Sequence, residues 1–174
     1  MCDTTFAEFF RQELGSLVAF LRKVGFGREE AEDAASEAMT CVYQHWSRID
    51  RSPRGWVRTA AYRIACNQAQ RGRDDVLRAV AGEWVTSTHD DVDVVEAIEG
   101  HNLLLRLLQQ LPRQQRLVMA WHLDGFDTSE ISAQLNMSPA TVRSNLRHAR
   151  NQLKEFYQKR FRDPGVAGTD EGRE

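Results

Sequence analysis

The chain has 174 residues, 41% of them hydrophobic and 28% charged, with 23 Lys and Arg against 25 Asp and Glu. This length allows one ordinary domain or two very small ones with a modest core. With 4 Pro and 11 Gly, the chain is not of low-complexity or collagen-like composition. No apolar run approaches the ~20 residues that span a bilayer, and the first residues lack a signal-peptide pattern. We therefore expect a cytoplasmic globular protein with no membrane contact.

The cysteine content excludes a disulfide framework. Only Cys2, Cys41 and Cys66 are present, at wide spacing and without a C-x-x-C motif. Cys41 and His45 would share a helix face, but two ligands do not make a metal site. We expect neither a metal nor a cofactor.

The net charge of −2 conceals strong segregation of charge along the chain. Residues 48–73 hold 7 Arg and 1 Asp, and residues 127–162 hold 7 basic and 3 acidic side chains. Between them, residues 74–99 hold 8 acidic and 1 basic side chain. Two basic regions in one chain favour a polyanionic partner at two places, although solvated helix faces could give the same pattern.

Helical periodicity dominates the N-terminal part of the chain, and strand-like alternation is absent from the sequence. The pattern predicts three helices, over residues 5–24, 28–46 and 56–70. Gly25 and Gly27 are predicted to end the first helix. A basic loop over residues 48–55 is predicted to precede the third.

The second predicted helix has two distinct faces. Glu29, Asp33 and Glu37 recur every four residues on one side. The opposite side carries an apolar stripe of Ala31, Ala35, Ala38, Val42 and Trp46. The acidic row is either a solvated surface or a docking strip for a basic partner.

We place a domain boundary in the acidic segment 74–99, where periodicity is weak and Asp90, Asp91 and Asp93 cluster. A second group of helices is predicted over 103–111, 113–123, from the capping box 127–130 onward, and over 139–162. Pro112 separates the first two of these helices, and Pro139 begins the last. The acidic, Gly-containing tail 163–174 is predicted to be disordered.

A short helix, a three-residue turn and a longer helix form the pattern of a helix-turn-helix. In the longer helix Val142, Leu146, Ala149 and Leu153 make one apolar stripe, and basic residues lie beside and opposite it. Arginine in such a helix can bond a guanine edge or a phosphate in the major groove. A solvated basic helix on a bundle is the alternative, but the cap, turn length and Pro139 favour DNA binding.

The sequence has no catalytic constellation: it contains no paired-His metal motif, Gly-rich phosphate loop or G-x-S-x-G. We therefore do not expect an enzyme.

Four motifs in register resemble the extracytoplasmic-function (ECF) subgroup of bacterial RNA polymerase sigma factors. They are 31–38 (AEDAASEA), 52–67 (SPRGWVRTAAYRIACN), 111–116 (LPRQQR) and 125–150 (GFDTSEISAQLNMSPATVRSNLRHAR). The resemblance covers roughly residues 5–160. The family usually has Gln in place of Ser36 and often Arg in place of His148.

The resemblance implies an all-α protein with two small helical domains: sigma domain 2 (1–73), a flexible acidic linker (74–99), sigma domain 4 (100–162) and a disordered tail (163–174). It implies contacts with core RNA polymerase, through its β′ clamp, at Glu29, Asp33, Ser36 and Glu37. It implies −10 DNA binding by Arg51, Ser52, Arg54, Arg58, Arg63 and Asn67. It implies −35 DNA binding by Thr141, Arg143, Ser144, Arg147, His148 and Arg150.

The resemblance also names partners: core RNA polymerase (β′ clamp and β flap) and promoter DNA, with an anti-sigma factor as a further candidate. The chain is then expected to be a monomer. One alternative is a sigma-like decoy that binds an anti-sigma factor without touching DNA. Another is an ordinary helix-turn-helix repressor, which predicts a stable dimer on palindromic DNA.

Overall fold

The computed structural model describes residues 5–49, 52–80 and 99–162, and in these ranges the regular structure is entirely helical. The first group of helices, here the N-terminal set, comprises α1 (Phe6–Val24), α2 (Arg28–His45) and α3 (Pro53–Val80), with a 3-10 turn at Trp46–Arg48 between α2 and α3. The second group, here the C-terminal set, comprises α4 (Glu99–Gln109), α5 (Arg113–Leu123), α6 (Thr128–Leu135) and α7 (Pro139–Arg162). The all-α prediction is confirmed.

Local capping explains where most of these helices begin and end. Asp127 accepts hydrogen bonds from the backbone N–H groups of Ser129 and Glu130, and the Glu130 carboxylate accepts one from the Asp127 N–H. This reciprocal capping box was predicted from the sequence. Asn136 ends α6 in the left-handed conformation, at φ +51°, which asparagine tolerates better than most residues.

Several predicted boundaries were wrong: α4, for example, runs over Glu99–Gln109 and not over 103–111. Gly25, at φ +114°, does end α1, but Gly27 is the N-cap of α2 rather than a second stop. The third helix begins at Pro53, where a missing N–H is harmless, and continues through residues 74–80 of the predicted linker. No proline interrupts this stretch, so backbone hydrogen bonding continues beyond the basic segment.

The two sets share one hydrophobic core. The predicted stripe on α2 is buried, with Ala31, Ala35, Ala38 and Val42 each at 0% exposure. The ring of Phe20 in α1 packs edge-on against the indole of Trp121 in α5, with the ring centroids 5.2 Å apart. Because both rings are fully buried, the N-terminal and C-terminal sets are packed directly against each other.

Several predictions fall outside the described residues. They are Arg51, the linker beyond Val80 with Asp90, Asp91 and Asp93, and the tail 163–174.

Candidate nucleic-acid interface

The helix-turn-helix of the C-terminal set is held by a small apolar core. Ile131 of α6 and Val142, Leu146 and Ala149 of α7 are buried, which confirms the predicted stripe apart from its half-buried last member. The Ser138 hydroxyl accepts a hydrogen bond from the Thr141 N–H and so caps α7. These contacts fix the orientation of α7 and leave its other side facing solvent.

The exposed side of α7 is basic over its whole first half. Thr141, Arg143, Arg147, His148 and Arg150 are exposed, and only Ser144 of the predicted −35 residues is half-buried. The sequence from 131 to 154 contains no Asp or Glu, so no carboxylate on that stretch neutralises these side chains. This surface can donate several charge-assisted hydrogen bonds to phosphate oxygens or base edges.

The acidic row of α2 lies on the surface of the N-terminal set. Glu29, Asp33, Ser36 and Glu37 are all exposed. The Glu37 carboxylate accepts a hydrogen bond of 2.9 Å from the Gln68 amide of α3, which fixes one end of the row. Because the buried alanines are on the opposite side of α2, the row is presented outward.

The predicted −10 residues do not form one open surface. Ser52, Arg63 and Asn67 are exposed, and the Ser52 hydroxyl accepts a hydrogen bond from the Gly55 N–H. Arg54 retains 44% exposure of its side chain. Arg58, by contrast, is at 0% exposure.

Arg58, to which the resemblance gives a role in −10 binding, is buried at the contact between the two sets. Its guanidinium donates to the Asp124 carboxylate from Nε and to the Ser16 hydroxyl at 3.1 Å, and it forms an ion pair with Glu13 Oε2 at 2.8 Å. Asp124 follows α5, so the C-terminal set covers the part of α3 that carries Arg58. Sequence periodicity describes one helix at a time, so it could not predict that the C-terminal set covers Arg58.

We call the charged residues at this contact the seam cluster: Glu13, Lys23, Arg54, Arg58 and Asp124. Asp124 is only 8% exposed. Its carboxylate lies 3.5 Å from an Arg54 nitrogen and 3.6 Å from Lys23 Nζ. Arg54 also donates a hydrogen bond of 2.7 Å to the Asp124 carbonyl oxygen. All three cations belong to the N-terminal set, whereas Asp124 belongs to the C-terminal set.

A second polar contact lies further along the same boundary. An Arg113 guanidinium nitrogen of α5 lies 3.5 Å from the Cys66 sulfur of α3. Burial is the main cause of the raised pKa of the neighbouring Tyr62 phenol. Burial also lowers the pKa of Arg116, whose Nε has no hydrogen-bond partner in the structure.

Sequence reasoning missed Glu13, Lys23 and Asp124. Glu13 and Lys23 belong to a helix with ordinary amphipathic spacing, in which they are two of several charged side chains, so the sequence gives no signal. Asp124, however, is the single acidic residue between positions 100 and 126. Its isolation in a basic segment was a signal that could have been noticed.

Neither a metal centre nor a membrane span emerges from the described ranges. They contain no group of three or more metal-ligating side chains, and none of their helices is long and apolar enough to cross a bilayer. Cys41 and His45 do share a face of α2, where the His45 ring bonds the Cys41 carbonyl oxygen at 2.8 Å. This contact gives the histidine a local structural partner.

Comparison with known proteins gives the family. Residues 9–74 match the model of sigma-70 region 2, and residues 101–153 match that of sigma-70 region 4. The chain is 29% identical over 157 residues to the ECF RNA polymerase sigma factor RpoE of Cereibacter sphaeroides, covering 88% of this chain and 86% of that protein. The chain belongs to the ECF group of RNA polymerase sigma factors. The RNA polymerase sigma-E factor of Streptomyces coelicolor is 28% identical over 154 residues, covering 86% and 84% of the two chains.

Solved structures show the same fold. The sigma factor RpoE from Bartonella quintana, in complex with the anti-sigma factor NepR, superposes with a TM-score of 0.68 at 18% identity, covering 88% of this sigma factor and 96% of that chain. CnrH, in complex with the cytosolic domain of CnrY, gives 0.62 at 15% identity, covering 88% of both. Members of this family are transcription regulators rather than enzymes.

Proposed function

We propose that this sigma factor binds core RNA polymerase and directs promoter-specific transcription initiation by recognising −10 and −35 elements. The observation that carries the proposal is the separation of two opposite surfaces in one chain. The first half of α7 is basic and exposed, whereas the exposed row on α2 is acidic. DNA and a basic protein surface can therefore be bound at the same time.

The −35 element is assigned to α7. In a helix-turn-helix the second helix lies in the major groove, with its N-terminal turns at the base edges. Thr141, Arg143, Ser144 and Arg147 occupy those turns, and His148 and Arg150 follow. Arg150 donates to His122 Nε2 at 2.8 Å, which holds its guanidinium beside α5 and suits a phosphate contact more than a base contact.

The −10 element is assigned to the first half of α3 and the loop before it. Ser52, Arg63 and Asn67 are available at the surface, and Arg51 is proposed from the sequence. Arg54 and Arg58 complete the set once the C-terminal set moves away. Extruding a base from the duplex costs a few kcal/mol, so promoter opening needs compensating contacts of this kind.

Core polymerase is assigned to the acidic row of α2, which would contact a basic surface of the β′ clamp. Glu29, Asp33 and Glu37 supply charge, and Ser36 lies among them. The C-terminal set would contact the β flap. An anti-sigma factor is a further proposed partner, because the structural neighbour RpoE was solved in complex with the anti-sigma factor NepR. The free protein is proposed to be a monomer in the cytoplasm.

The proposal is tested by multi-round transcription in vitro with core RNA polymerase and the DNA upstream of the protein's own gene. We expect a discrete start site only when the sigma factor is added. The absence of both a transcript and binding to core polymerase, together with capture of an anti-sigma factor, would support a decoy instead.

Charge-reversal variants separate the two surfaces. Asp33→Lys should weaken binding to core polymerase and lower the transcript yield. Glu155→Lys is the matched control, since it reverses one exposed charge on α7 away from the acidic row. Equal loss of core binding in both variants would contradict the assignment of the acidic row.

A further inference from the structure

We propose that Lys23, Arg54 and Arg58 form a phosphate-binding site, which the Asp124 carboxylate fills while the N-terminal and C-terminal sets are packed together. Closure of the chain and binding of DNA backbone at α3 then compete for the same three cations. The inference rests on the proposed function, because it makes a −10 strand the ligand that displaces Asp124.

The geometry of the seam cluster is that of an anion site. Three cations from two helices converge on one carboxylate: Arg58 Nε donates to it, an Arg54 nitrogen lies 3.5 Å away, and Lys23 Nζ lies 3.6 Å away. Guanidinium groups bind carboxylate and phosphate with the same planar donor pattern, and lysine supplies a point charge to either. A phosphate oxygen could therefore replace an Asp124 oxygen with the same donors.

The charge of the cluster favours such a replacement. In the closed arrangement the three cations face two carboxylates, from Glu13 and Asp124. Glu13 belongs to α1 and stays with the cations, whereas Asp124 leaves with the C-terminal set. Opening therefore leaves three cations with one carboxylate, and this net positive charge attracts an anion such as a phosphate.

The site is built before any ligand arrives. The Arg58 guanidinium is anchored by two residues of α1, Glu13 at 2.8 Å and Ser16 at 3.1 Å. The rings of Phe20 and Phe126 lie 6.0 and 5.5 Å from its guanidinium carbon. Phe20 remains with Arg58 when the sets separate, so the guanidinium keeps its position and exchanges only its partner from the C-terminal set.

The competition affects one DNA surface and not the other. The basic side of α7 is exposed in the closed arrangement, whereas Arg58 is covered. If only the open chain binds a −10 strand, its apparent affinity is the intrinsic affinity multiplied by the open fraction. By linkage, binding of the strand must in turn favour opening.

The first experiment compares Asp124→Asn with Asp127→Asn in the full chain. Both variants remove one negative charge from the α5–α6 connection, but Asp127 lies outside the seam cluster and asparagine preserves its capping role. Binding of a fluorescent single-stranded oligonucleotide is measured by anisotropy. Hydrogen exchange of the peptide 117–126 reports opening, and circular dichroism reports helix content.

We expect Asp124→Asn to bind the oligonucleotide about tenfold more tightly and to exchange faster over 117–126, because a buried charge loses its partner and the open fraction rises. Asp127→Asn should match the unsubstituted protein in both measurements. Faster exchange without tighter binding would overturn the phosphate site. Unchanged exchange would overturn the role of Asp124 in closure.

The second experiment uses the unsubstituted protein. It therefore tests the competition between closure and DNA binding even if Asp124→Asn loses its helix content. Adding the oligonucleotide to the unsubstituted protein should accelerate exchange over 117–126. An oligonucleotide of the same sequence with an uncharged methylphosphonate backbone should have no such effect. Equal acceleration by both, or by neither, would overturn the inference. Transcription with core polymerase judges the sigma function separately, because a protein that initiates normally but fails these tests lacks only the competition.

Discussion

The two proposed DNA surfaces of this sigma factor differ in what lies over them. On α7 the arginines at 143, 147 and 150 are all exposed. On α3 Arg63 is exposed, whereas Arg58 is completely buried against Glu13 and Asp124. The same residue type on a basic helix is thus a surface donor in one place and an internal ion-pair partner in another, and only the neighbouring helices distinguish them.

The largest expected effect is a difference in stability between variants of a buried and an exposed arginine of α3. Arg58→Ala should lower the free energy of unfolding by about 3–5 kcal/mol, because it removes the shortest ion-pair partner of the buried Asp124 carboxylate and of the half-buried Glu13 carboxylate. Arg63→Ala is the matched control and should change stability by no more than about 0.5 kcal/mol, since Arg63 is exposed. Urea unfolding followed by circular dichroism measures both. Equal stability of the two variants would contradict the internal role of Arg58.

On α7 the expected effect concerns DNA and not folding. Arg147→Ala should cost about 1–3 kcal/mol in discrimination between promoter variants if Arg147 reads a base edge. Its unfolding free energy should stay unchanged, because the side chain is exposed. Competition binding with −35 variants in the presence of core polymerase measures the loss. A uniform loss across all sequences would instead assign Arg147 to a phosphate.

Two glycines allow a comparison between the free surface of α1 and its boundary with the C-terminal set. Gly15 lies on the exposed side of α1, and Gly25 caps its C-terminal end. Gly25→Ala should destabilise the protein by about 1–2 kcal/mol, because φ is +114° and a Cβ would lie 2.6 Å from Arg116. Gly15→Ala should stabilise it by about 0.5–1 kcal/mol, since no atom lies within 4 Å and alanine favours a helix interior. Thermal unfolding compares the two, and a shift of the same sign in both would refute this explanation.

The smallest effect is expected from Tyr62 at the same boundary. Burial raises the pKa of Tyr62 above its ordinary value of 10.0, so the folded protein holds the phenol proton more tightly than the unfolded chain. The contribution to stability is present below pH 10 and is lost as the pH rises through the raised pKa. Tyr62→Phe should remove this part of the alkaline destabilisation in urea unfolding at a series of pH values. An unchanged alkaline slope in this variant would contradict the assignment.

Most helices could be predicted from the sequence because their signals are local. The stop at Gly25, the capping box at Asp127 and the start at Pro139 each act on a single turn of backbone. Gly27 was assigned to the wrong helix because a glycine can serve at either end. The length of α3 was underestimated because a charged composition does not by itself stop a helix.

The candidate sites also divide into those that local sequence predicts and those that depend on tertiary packing. The acidic row of α2 and the basic face of α7 are arrays on single helices, so their spacing alone predicted exposure. The −10 residues were predicted from a family resemblance and a basic composition, neither of which describes what packs over α3. Asp124, separated from Arg58 by 66 positions, could not be paired with it by any periodicity.

The sequence by itself determined the helical class, the family motifs and the two helix faces of opposite charge, because these depend on residues three or four positions apart. The tertiary structure alone decided which arginines of α3 are available. The packing of Trp121 against Phe20 brings Asp124 into contact with Arg58. Because Arg58 is then buried, its charge on α3 needs the Asp124 carboxylate at the end of α5 as a partner. Such pairing follows from the docking of whole helices, since distant residues meet only when hydrophobic surfaces have selected one orientation.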